Sequence, residues 1–196
     1  MGISRLYIDV ETTVAPRNEI VELSYILAVK DSVVKTYSEK IEHEEPITPK
    51  GYEIHGIADY MCNIKVNDAI LELIVALQHS KQIVAHNASF DISRLKSWNN
   101  KTVNDLINSR EIKCTMLDYP YLWKTIYTGN PKRITKAYSS LYDCESYLIN
   151  NVMSVEDIMR GFKECFPEQP PVHHSSAYDS YLVYLIDRHM RNAKKV

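Results

Sequence analysis

The amino-acid sequence predicts an α/β fold with a mixed central sheet and flanking helices. Three strand-like segments lie within residues 5–41, and helix-like and strand-like segments alternate after them. This order is typical of a mixed sheet. The chain has 196 residues, of which 45% are hydrophobic and 24% are charged, and this length and composition suit one globular domain. We therefore expect residues 1–196 to form a single domain.

The first strand is predicted by the segment RLYIDVET, in which apolar and polar side chains alternate. Leu6, Ile8 and Val10 share one face of this strand, and Asp9 and Glu11 share the other. The segments EIVELSYILAV and VVKTYSEKI predict the second and third strands, which the polar stretch KDS separates. The sheet is thus expected to begin with three consecutive strands.

The rest of the chain alternates between predicted helices and strands. NDAILELIVALQ has the apolar spacing of a helix, KQIVAHN predicts a short strand, and ASFDISRLKSW predicts a helix that Asn87 can cap. EIKCTML predicts a further strand. Three helices are expected in the last third: ITKAYSSLYDCESYL, SVEDIMRGFKECF with a capping box from Ser154 and Asp157, and a closing helix after Pro170 and Pro171.

Charge and cysteine content limit the function classes. The net charge of −2 neither favours nor excludes a nucleic-acid partner, because a site rich in metal-binding acids lowers the total. The four cysteines form no CxxC pair, which argues against a zinc knuckle, and no apolar signal segment precedes Asp9. We therefore expect a reduced, cytoplasmic protein. The longest apolar run, AILELIVAL, is interrupted by Glu72 and is too short to span a membrane, so no membrane partner is expected.

Asp9 and Glu11 form the first candidate for a site. They are two residues apart on a predicted strand, so both side chains leave the same face, with Cα atoms roughly 6.5 Å apart. Two acids on a bare sheet face repel each other, and a divalent cation would neutralise both. The pair alone is equally compatible with a solvated strand face.

Two helix starts supply further candidates. Asp91 lies in the first turn or so of a predicted helix, and Asp179 shares an apolar stripe with Leu182 and Ile186. His174 precedes the second of these acids by five residues. Singly, each acid could complement a helix dipole, and the histidine could be an ordinary loop residue. Together, four acids on three elements and a histidine on a flexible approach predict a metal site with a base. Oxygen ligands without cysteine favour Mg²⁺ or Mn²⁺ over zinc.

Three short motifs in this order resemble those of the DEDDh, or DnaQ-like, 3′→5′ exonucleases. DVET resembles the family's D-x-E-T motif, HNASFD its H-N-x-x-F-D motif and HSSAYD its H-x-x-x-x-D motif. The family has a ribonuclease H-like fold and includes the proofreading epsilon subunit of bacterial DNA polymerase III, oligoribonuclease and RNase T. EIHGIADYM and IKCTMLD are softer matches, so the resemblance extends from about residue 5 to residue 187. Val14 departs from a common glycine, and Ser176 departs from a common alanine.

The resemblance implies a nuclease that uses two metal ions. The acids that would hold two divalent ions, Mg²⁺ or Mn²⁺, are Asp9, Glu11, Asp91 and Asp179. His174 would act as the general base, because the adjacent His173 lacks the five-residue spacing to the last acid. His55 and His86 are expected to have structural roles.

The substrate that the resemblance implies is the 3′ end of a nucleic acid, cut to release nucleoside 5′-monophosphates. Thr12 would contact the terminal nucleotide through its backbone, and Thr13 and Val14 would line the pocket of the terminal base. Phe90 would pack near the site, although core packing is its simpler role.

Three functions are compatible with these residues. Single-stranded DNA is the expected substrate, in a proofreading or repair role for which proofreading would require a separate polymerase partner. The same site would serve an RNA-trimming exoribonuclease or a dinucleotide hydrolase. A catalytically silent module that binds nucleic acid or a protein partner is the alternative from another class, and the presence of all four acids and the histidine argues against it. The sequence favours no particular oligomeric state.

Overall fold

The computed structural model describes residues 3–118, 124–127, 134–137 and 140–193. Its strands are β1 (Ser4–Thr12), β2 (Ile20–Val29), β3 (Ser32–Lys40), β4 (Gln82–Ala85), β5 (Glu111–Cys114), β6 (Lys124–Tyr127) and β7 (Ile134–Ala137). Its helices are α1 (Pro49–His55), α2 (Val66–His79), α3 (Ala88–Ser97), α4 (Lys101–Asn108), α5 (Thr115–Asp118), α6 (Leu141–Asn151), α7 (Val155–Cys165) and α8 (Ser176–Ala193), with a 3-10 helix at Asp59–Met61. Within these described ranges, no helix is both long and apolar enough to cross a lipid bilayer.

Five strands form the central sheet, in the order β3–β2–β1–β4–β5. The first three strands are antiparallel neighbours, whereas β4 and β5 run parallel to β1. The mixed α/β sheet that the sequence predicts is therefore confirmed. β6 and β7 form a separate antiparallel pair.

One predicted helix is wrong in part. The sequence predicts a single helix for ITKAYSSLYDCESYL, whereas β7 occupies its first residues and α6 begins at Leu141. Pairing between β7 and β6 overrides the helical apolar spacing at this point. Ser140 sets the start of α6, because its hydroxyl accepts a hydrogen bond from the Asp143 N–H. The predicted strand EIKCTML also divides, since β5 ends at Cys114 and α5 follows directly.

Side chains of β1 alternate between two apolar cores, as the sequence predicts. Leu6 and Ile8 pack with α2, α3 and α4 on one side of the sheet. Tyr7 packs with α6, α7 and α8 on the other side. Because residues two apart on a strand share a face, Asp9 and Glu11 project toward the side of α8.

Helix α8 covers much of this second face, and all of its residues from Ser176 to Asp187 are buried. Its side chains Leu182 and Ile186 are at most 1% exposed, and each such burial stabilises the fold by about 1.5–3 kcal/mol. The C-terminal half of α8 is fixed by Asp187, which accepts hydrogen bonds of 2.8 Å from the Tyr7 hydroxyl and from Arg191 Nε. The helix is therefore held to the sheet by both apolar packing and a buried polar network.

Candidate active site

The first two acids lie at the end of the central strand. β1 has β2 on one side and β4 on the other, and Asp9 and Glu11 occupy its C-terminal end, where both are partly shielded from solvent. β4 runs parallel to β1, with Val84 opposite Tyr7. The helix that follows β4 consequently starts at the same edge of the sheet, outside the carboxyl ends of these strands.

Helix α3 brings Asp91 to this edge. Asn87 turns the chain from β4 into α3 with a φ of 61°, a left-handed conformation that asparagine adopts more readily than most residues. Asn87 occupies the N-cap position, but its side chain makes no capping hydrogen bond, so the predicted side-chain cap is wrong. Asp91 is 2% exposed, and the nearby backbone of Val10 on β1 counteracts the rise of its pKa.

The fourth acid and the histidine come from α8 and the loop before it. Asp179 lies in the first turn of α8 and is 5% exposed. The backbone of His174 lies near the Asp179 carboxylate and counteracts the rise of its pKa. His174 itself is exposed and has a φ of 58°, a conformation that is uncommon for residues other than glycine. The loop therefore turns sharply just before the helix and presents the imidazole to solvent.

All three motifs line one open cleft of about 680 Å³. The candidate residues on its wall are Asp9, Glu11, Phe90, Asp91, His174 and Asp179. Within this group, ligand atoms of Glu11, His174 and Asp179 all lie within 4.8 Å of one another. The structure therefore brings together the acids and the histidine that the sequence singles out.

The residues expected to contact the terminal nucleotide lie beside this wall: Thr12 ends β1, and Thr13 and Val14 begin the turn that follows it. Thr13 is fully buried, and its hydroxyl accepts a 3.1 Å hydrogen bond from the Glu19 N–H. The Thr12 hydroxyl donates to Asn18 Oδ1 at 2.6 Å. Val14 is partly exposed and has a φ of 53°. The two threonine side chains thus hold the turn, and Val14 is the member with exposed surface.

Burial and mutual repulsion raise the pKa of every acid in the cluster. Burial raises the pKa of Asp9 well above its ordinary value, and the charges of Asp91 and Asp179 raise it further. The pKa of Glu11 is raised to about 9, first by burial and then by the charge of Asp179. Burial also raises the pKa of Asp91 to about 8 and that of Asp179 to about 7, where the nearby His173 limits the rise. The cluster therefore resists full ionisation unless positive charge compensates it.

The donor set fits a hard divalent cation. Asp179 Oδ1 is buried and has no hydrogen-bond partner among the described residues, and His173 Nδ1 lies 4.0 Å from it. A buried carboxylate oxygen without a partner is costly, and a bound cation would satisfy it. Carboxylate oxygens without a thiolate are the ligands that Mg²⁺ and Mn²⁺ prefer. The residues present therefore match the divalent ions expected from the sequence.

The two adjacent histidines have different surroundings. His173 is half-buried, with Nε2 2.7 Å from Glu145 Oε2, and Tyr178 also donates a hydrogen bond to Glu145. The His173 ring packs edge-on against Tyr142, with 5.4 Å between ring centroids. The imidazole of His174 instead faces the acids of the cleft. His173 therefore belongs to a largely buried hydrogen-bond network, whereas His174 is exposed in the open cleft beside the acids.

Two buried acids beside the cleft are not among the site residues that the sequence predicts. Glu22 on β2 is 2% exposed and lies directly opposite Glu11 in the register of β1 and β2. The sequence pattern that indicates Glu22 is a lone acid within the apolar strand IVELSYILAV, because charged side chains are rarely buried without partners. Glu145 on α6 is 8% exposed and pairs with His173, which lies 28 residues away, so no local pattern reveals it.

His55 and His86 make contacts typical of structural histidines. His55 Nδ1 accepts a hydrogen bond from the Ile57 N–H, so Nε2 carries the proton and donates to the Thr12 carbonyl oxygen at 3.0 Å. Burial lowers the pKa of His55, which keeps this neutral form. His86 Nδ1 lies 3.0 Å from Thr115 Oγ1, although its side chain also lines the cleft.

The mixed sheet and the acid-lined cleft at the end of its central strand are those of a nuclease. Residues 6–186 match the family model RNase_T, an exonuclease family, and the chain belongs to this family. The resemblance to DnaQ-like exonucleases is therefore confirmed. Comparison with curated protein sequences gave no match.

Solved exonuclease structures share the fold at low sequence identity. Exonuclease X in complex with 5′ overhanging duplex DNA is 22% identical, with a TM-score of 0.56 over 96% of this chain and 93% of that chain. E. coli Exonuclease I in complex with a dA16 oligonucleotide is 10% identical, with a TM-score of 0.68 over 97% of this chain but only 41% of that chain. A 3′-exonuclease that recognises a histone mRNA stem-loop is 13% identical, with a TM-score of 0.53 over 98% of this chain and 83% of that chain. These likenesses support the ribonuclease H-like fold.

Proposed function

We propose that this chain is a divalent-metal-dependent 3′→5′ exonuclease of the DEDDh type, with residues 1–196 forming one exonuclease domain. It would remove nucleotides one at a time from the 3′ end of single-stranded DNA and release nucleoside 5′-monophosphates. The observation that carries this proposal is the convergence of acids from β1, α3 and α8, together with His174, on one cleft.

The acids of the cleft are the proposed metal ligands, and they are Asp9, Glu11, Asp91 and Asp179. When bound, two Mg²⁺ or Mn²⁺ ions supply a water of lowered pKa and neutralise the charge that develops on the scissile phosphate. The raised pKa values of the acids support this role, because a cation restores the ionised carboxylates that coordination requires.

His174 is the proposed general base. Its imidazole nitrogen takes a proton from the attacking water as the water oxygen bonds to phosphorus. The bond from phosphorus to the 3′ oxygen of the penultimate nucleotide breaks, and that oxygen takes a proton from solvent. The exposed position of His174 leaves room for substrate to enter, while an imidazole nitrogen lies within 4.8 Å of carboxylate oxygens of Glu11 and Asp179.

The cleft walls support an unpaired strand as the substrate, and we propose that this strand is single-stranded DNA. Phe90 and Tyr142 both line the cleft and are 37% and 63% exposed, and exposed rings of this kind are platforms on which unpaired bases stack. The guanidinium carbon of Arg94 lies 5.9 Å from the centroid of the Phe90 ring, which places a cation on the same rim for a phosphate. The complex of Exonuclease I with dA16 supports a single-stranded DNA substrate, and the complex of Exonuclease X with overhanging duplex DNA supports DNA as the nucleic acid.

Thr12, Thr13 and Val14 are the proposed neighbours of the terminal nucleotide. Because Thr13 is fully buried, its contribution would come from the backbone of the turn. Val14 is the only one of the three that is not buried, so its side chain is the one available to a terminal base.

The function is tested by shortening of 5′-labelled substrates. Single-stranded DNA, RNA of the same base sequence, duplex DNA and a dinucleotide are incubated with the chain in Mg²⁺, Mn²⁺ or EDTA, and the product ladders are resolved. Stepwise shortening of single-stranded DNA that EDTA abolishes is expected. Faster shortening of RNA would assign an RNA-trimming enzyme, and cleavage of the dinucleotide alone would assign a dinucleotide hydrolase.

Glu11→Gln is the informative variant, with Glu53→Gln as its matched control. Both substitutions replace one carboxyl group by an amide, but Glu53 is exposed on α1, whereas Glu11 lies in the cleft. Glu11→Gln should lower kcat by about 100-fold or more, and Glu53→Gln should leave it unchanged. Full activity of Glu11→Gln would refute the site, and a parent chain that binds oligonucleotide without cutting it would be a binding module.

A further inference from the structure

A row of three charged side chains crosses the sheet beneath the start of α8. In the antiparallel registers, Glu11 lies opposite Glu22, and Glu22 lies opposite Lys40. Cross-strand partners project from the same face of a sheet. The row therefore runs from the cleft, through a buried acid, to a lysine side chain that is 22% exposed. Two neighbouring acids in the interior are costly unless each has partners.

Both carboxylate oxygens of Glu22 have partners. Oε2 accepts hydrogen bonds from the backbone N–H of Ser176 at 2.8 Å and from its hydroxyl at 2.9 Å. Oε1 pairs with Lys40 Nζ at 3.0 Å. Ser176 is the first residue of α8, so the carboxylate satisfies a donor that the helix leaves unpaired and complements the positive end of the helix dipole. The Ser24 hydroxyl, 2.6 Å from the Ser176 hydroxyl, adds a second contact from β2.

We propose that Glu22 is a positioning residue of the active site: it fixes the start of α8 against β2 so that His174 and Asp179 face the acids of β1. This inference rests on the proposed function of that site. Ser176 lies between the two active-site residues in the chain, so a displacement of Ser176 moves both. By holding Ser176, Glu22 therefore fixes the positions of the proposed base and of a proposed metal ligand together.

The contacts distinguish Glu22 from an additional metal ligand. Asp179 has a buried oxygen without a hydrogen-bond partner among the described residues, whereas both oxygens of Glu22 are occupied. A Glu22 carboxylate turned toward a cation would leave the Ser176 N–H and the Lys40 ammonium without their partner, and an unmade buried hydrogen bond is costly. Glu22 therefore acts through Ser176 rather than by contact with the reacting atoms.

Asp187 provides a matched control on the same helix. It is fully buried and accepts hydrogen bonds from Tyr7 and Arg191, so its loss lowers stability much as the loss of Glu22 does. Asp187 follows Asp179 by about 12 Å along the helix axis and does not line the cleft. If Glu22 had a purely structural role, Glu22→Gln and Asp187→Asn would have the same effects on hydrogen exchange, Mn²⁺ binding and kcat.

The experiment compares Glu22→Gln, Ser176→Ala and Asp187→Asn with the parent chain, below the unfolding temperature of each. Amide hydrogen exchange of residues 174–179 in EDTA reports the anchoring of α8 without metal. Calorimetric titration with Mn²⁺ reports the metal site. Values of kcat and KM on 5′-labelled single-stranded DNA report catalysis.

Glu22→Gln should speed exchange over residues 174–179, weaken Mn²⁺ binding and lower kcat, each by about tenfold or more, with a smaller change in KM. Ser176→Ala should act in the same direction with a smaller effect, since it removes one anchoring bond and no charge. Asp187→Asn should lower the Tm and leave Mn²⁺ binding unchanged.

Unchanged exchange and Mn²⁺ binding in Glu22→Gln, or equal losses in Asp187→Asn, would overturn the positioning role. If Glu22→Gln does not fold, Ser176→Ala tests the positioning role of Glu22 instead. An unaltered Mn²⁺ affinity in Ser176→Ala would then overturn that role. A parent chain that binds Mn²⁺ but cuts no nucleic acid would refute the proposed function alone, because exchange and Mn²⁺ binding would still measure the anchoring.

Discussion

Without divalent metal, the stability of this protein should fall as the pH rises. Glu11 has an ordinary pKa of 4.5, and in the folded chain its pKa is raised to about 9 by burial and by the charge of Asp179. The folded state therefore binds this proton more tightly than the unfolded state does. The resulting stabilisation is fully present below the ordinary pKa and is lost as the pH rises toward the folded pKa.

The size of the effect follows from the same shift. One pKa unit corresponds to about 1.4 kcal/mol, so raising the pH from about 5 to about 7 should lower the free energy of unfolding by about 3 kcal/mol through Glu11. Asp9 and Asp91 have pKa values raised in the same direction. The acids titrate as one interacting group, so their separate contributions are not additive. A bound divalent cation should reverse the trend by favouring the ionised forms.

The assay is urea unfolding in EDTA, followed by circular dichroism at several pH values, for the parent chain, Glu11→Gln and Glu53→Gln. The parent and Glu53→Gln should lose stability as the pH rises, and Glu11→Gln should lose less and be more stable than the parent at neutral pH. Mg²⁺ should stabilise the parent more than it stabilises Glu11→Gln. A parent whose stability in EDTA is constant or rises over this range would refute the reasoning.

Three further substitutions test individual contacts. His174→Ala should lower kcat on 5′-labelled single-stranded DNA by about 100-fold or more. If His173→Ala lowered kcat by this amount and His174→Ala did not, His173 would be the base. Tyr142→Ala should raise KM for single-stranded DNA by about tenfold, because stacking on this ring is lost. Tyr60→Ala removes an 88% exposed ring outside the cleft and should leave KM unchanged. Equal KM values in the two variants would exclude stacking on Tyr142. Ser154→Ala should lower the free energy of unfolding in urea by about 1 kcal/mol, because its hydroxyl caps α7, and unchanged stability would show that this cap contributes nothing.

The grouping of the acids could be predicted because local rules fix where each one lies. Asp9 and Glu11 share a face through the two-residue period of a strand. Asp91 and Asp179 each lie in the first turn of a helix, where the chain enters the edge of the sheet. The order of strands and helices then places these helix starts near the carboxyl end of β1.

The remaining features depend on contacts between distant parts of the chain. Glu22 and Ser176 are separated by 154 positions, and no local pattern shows that an acid in the second strand caps the last helix. The helical spacing at the start of ITKAYSSLYDCESYL is also compatible with a strand, and pairing with β6 decides between them. Asn87 has the chemistry of a capping residue, but its left-handed backbone is set by the turn from β4 to α3.

The position of α8 long after β1 and α3 in the chain has a consequence for protein synthesis. A polypeptide leaves the ribosome N-terminus first, so β1 and α3 emerge long before Asp179 and His174 do. A nascent chain therefore carries an incomplete set of acids until α8 has packed onto the sheet. Under the proposed function, the nascent chain would not cut nucleic acids close to the translating ribosome before α8 has packed onto the sheet.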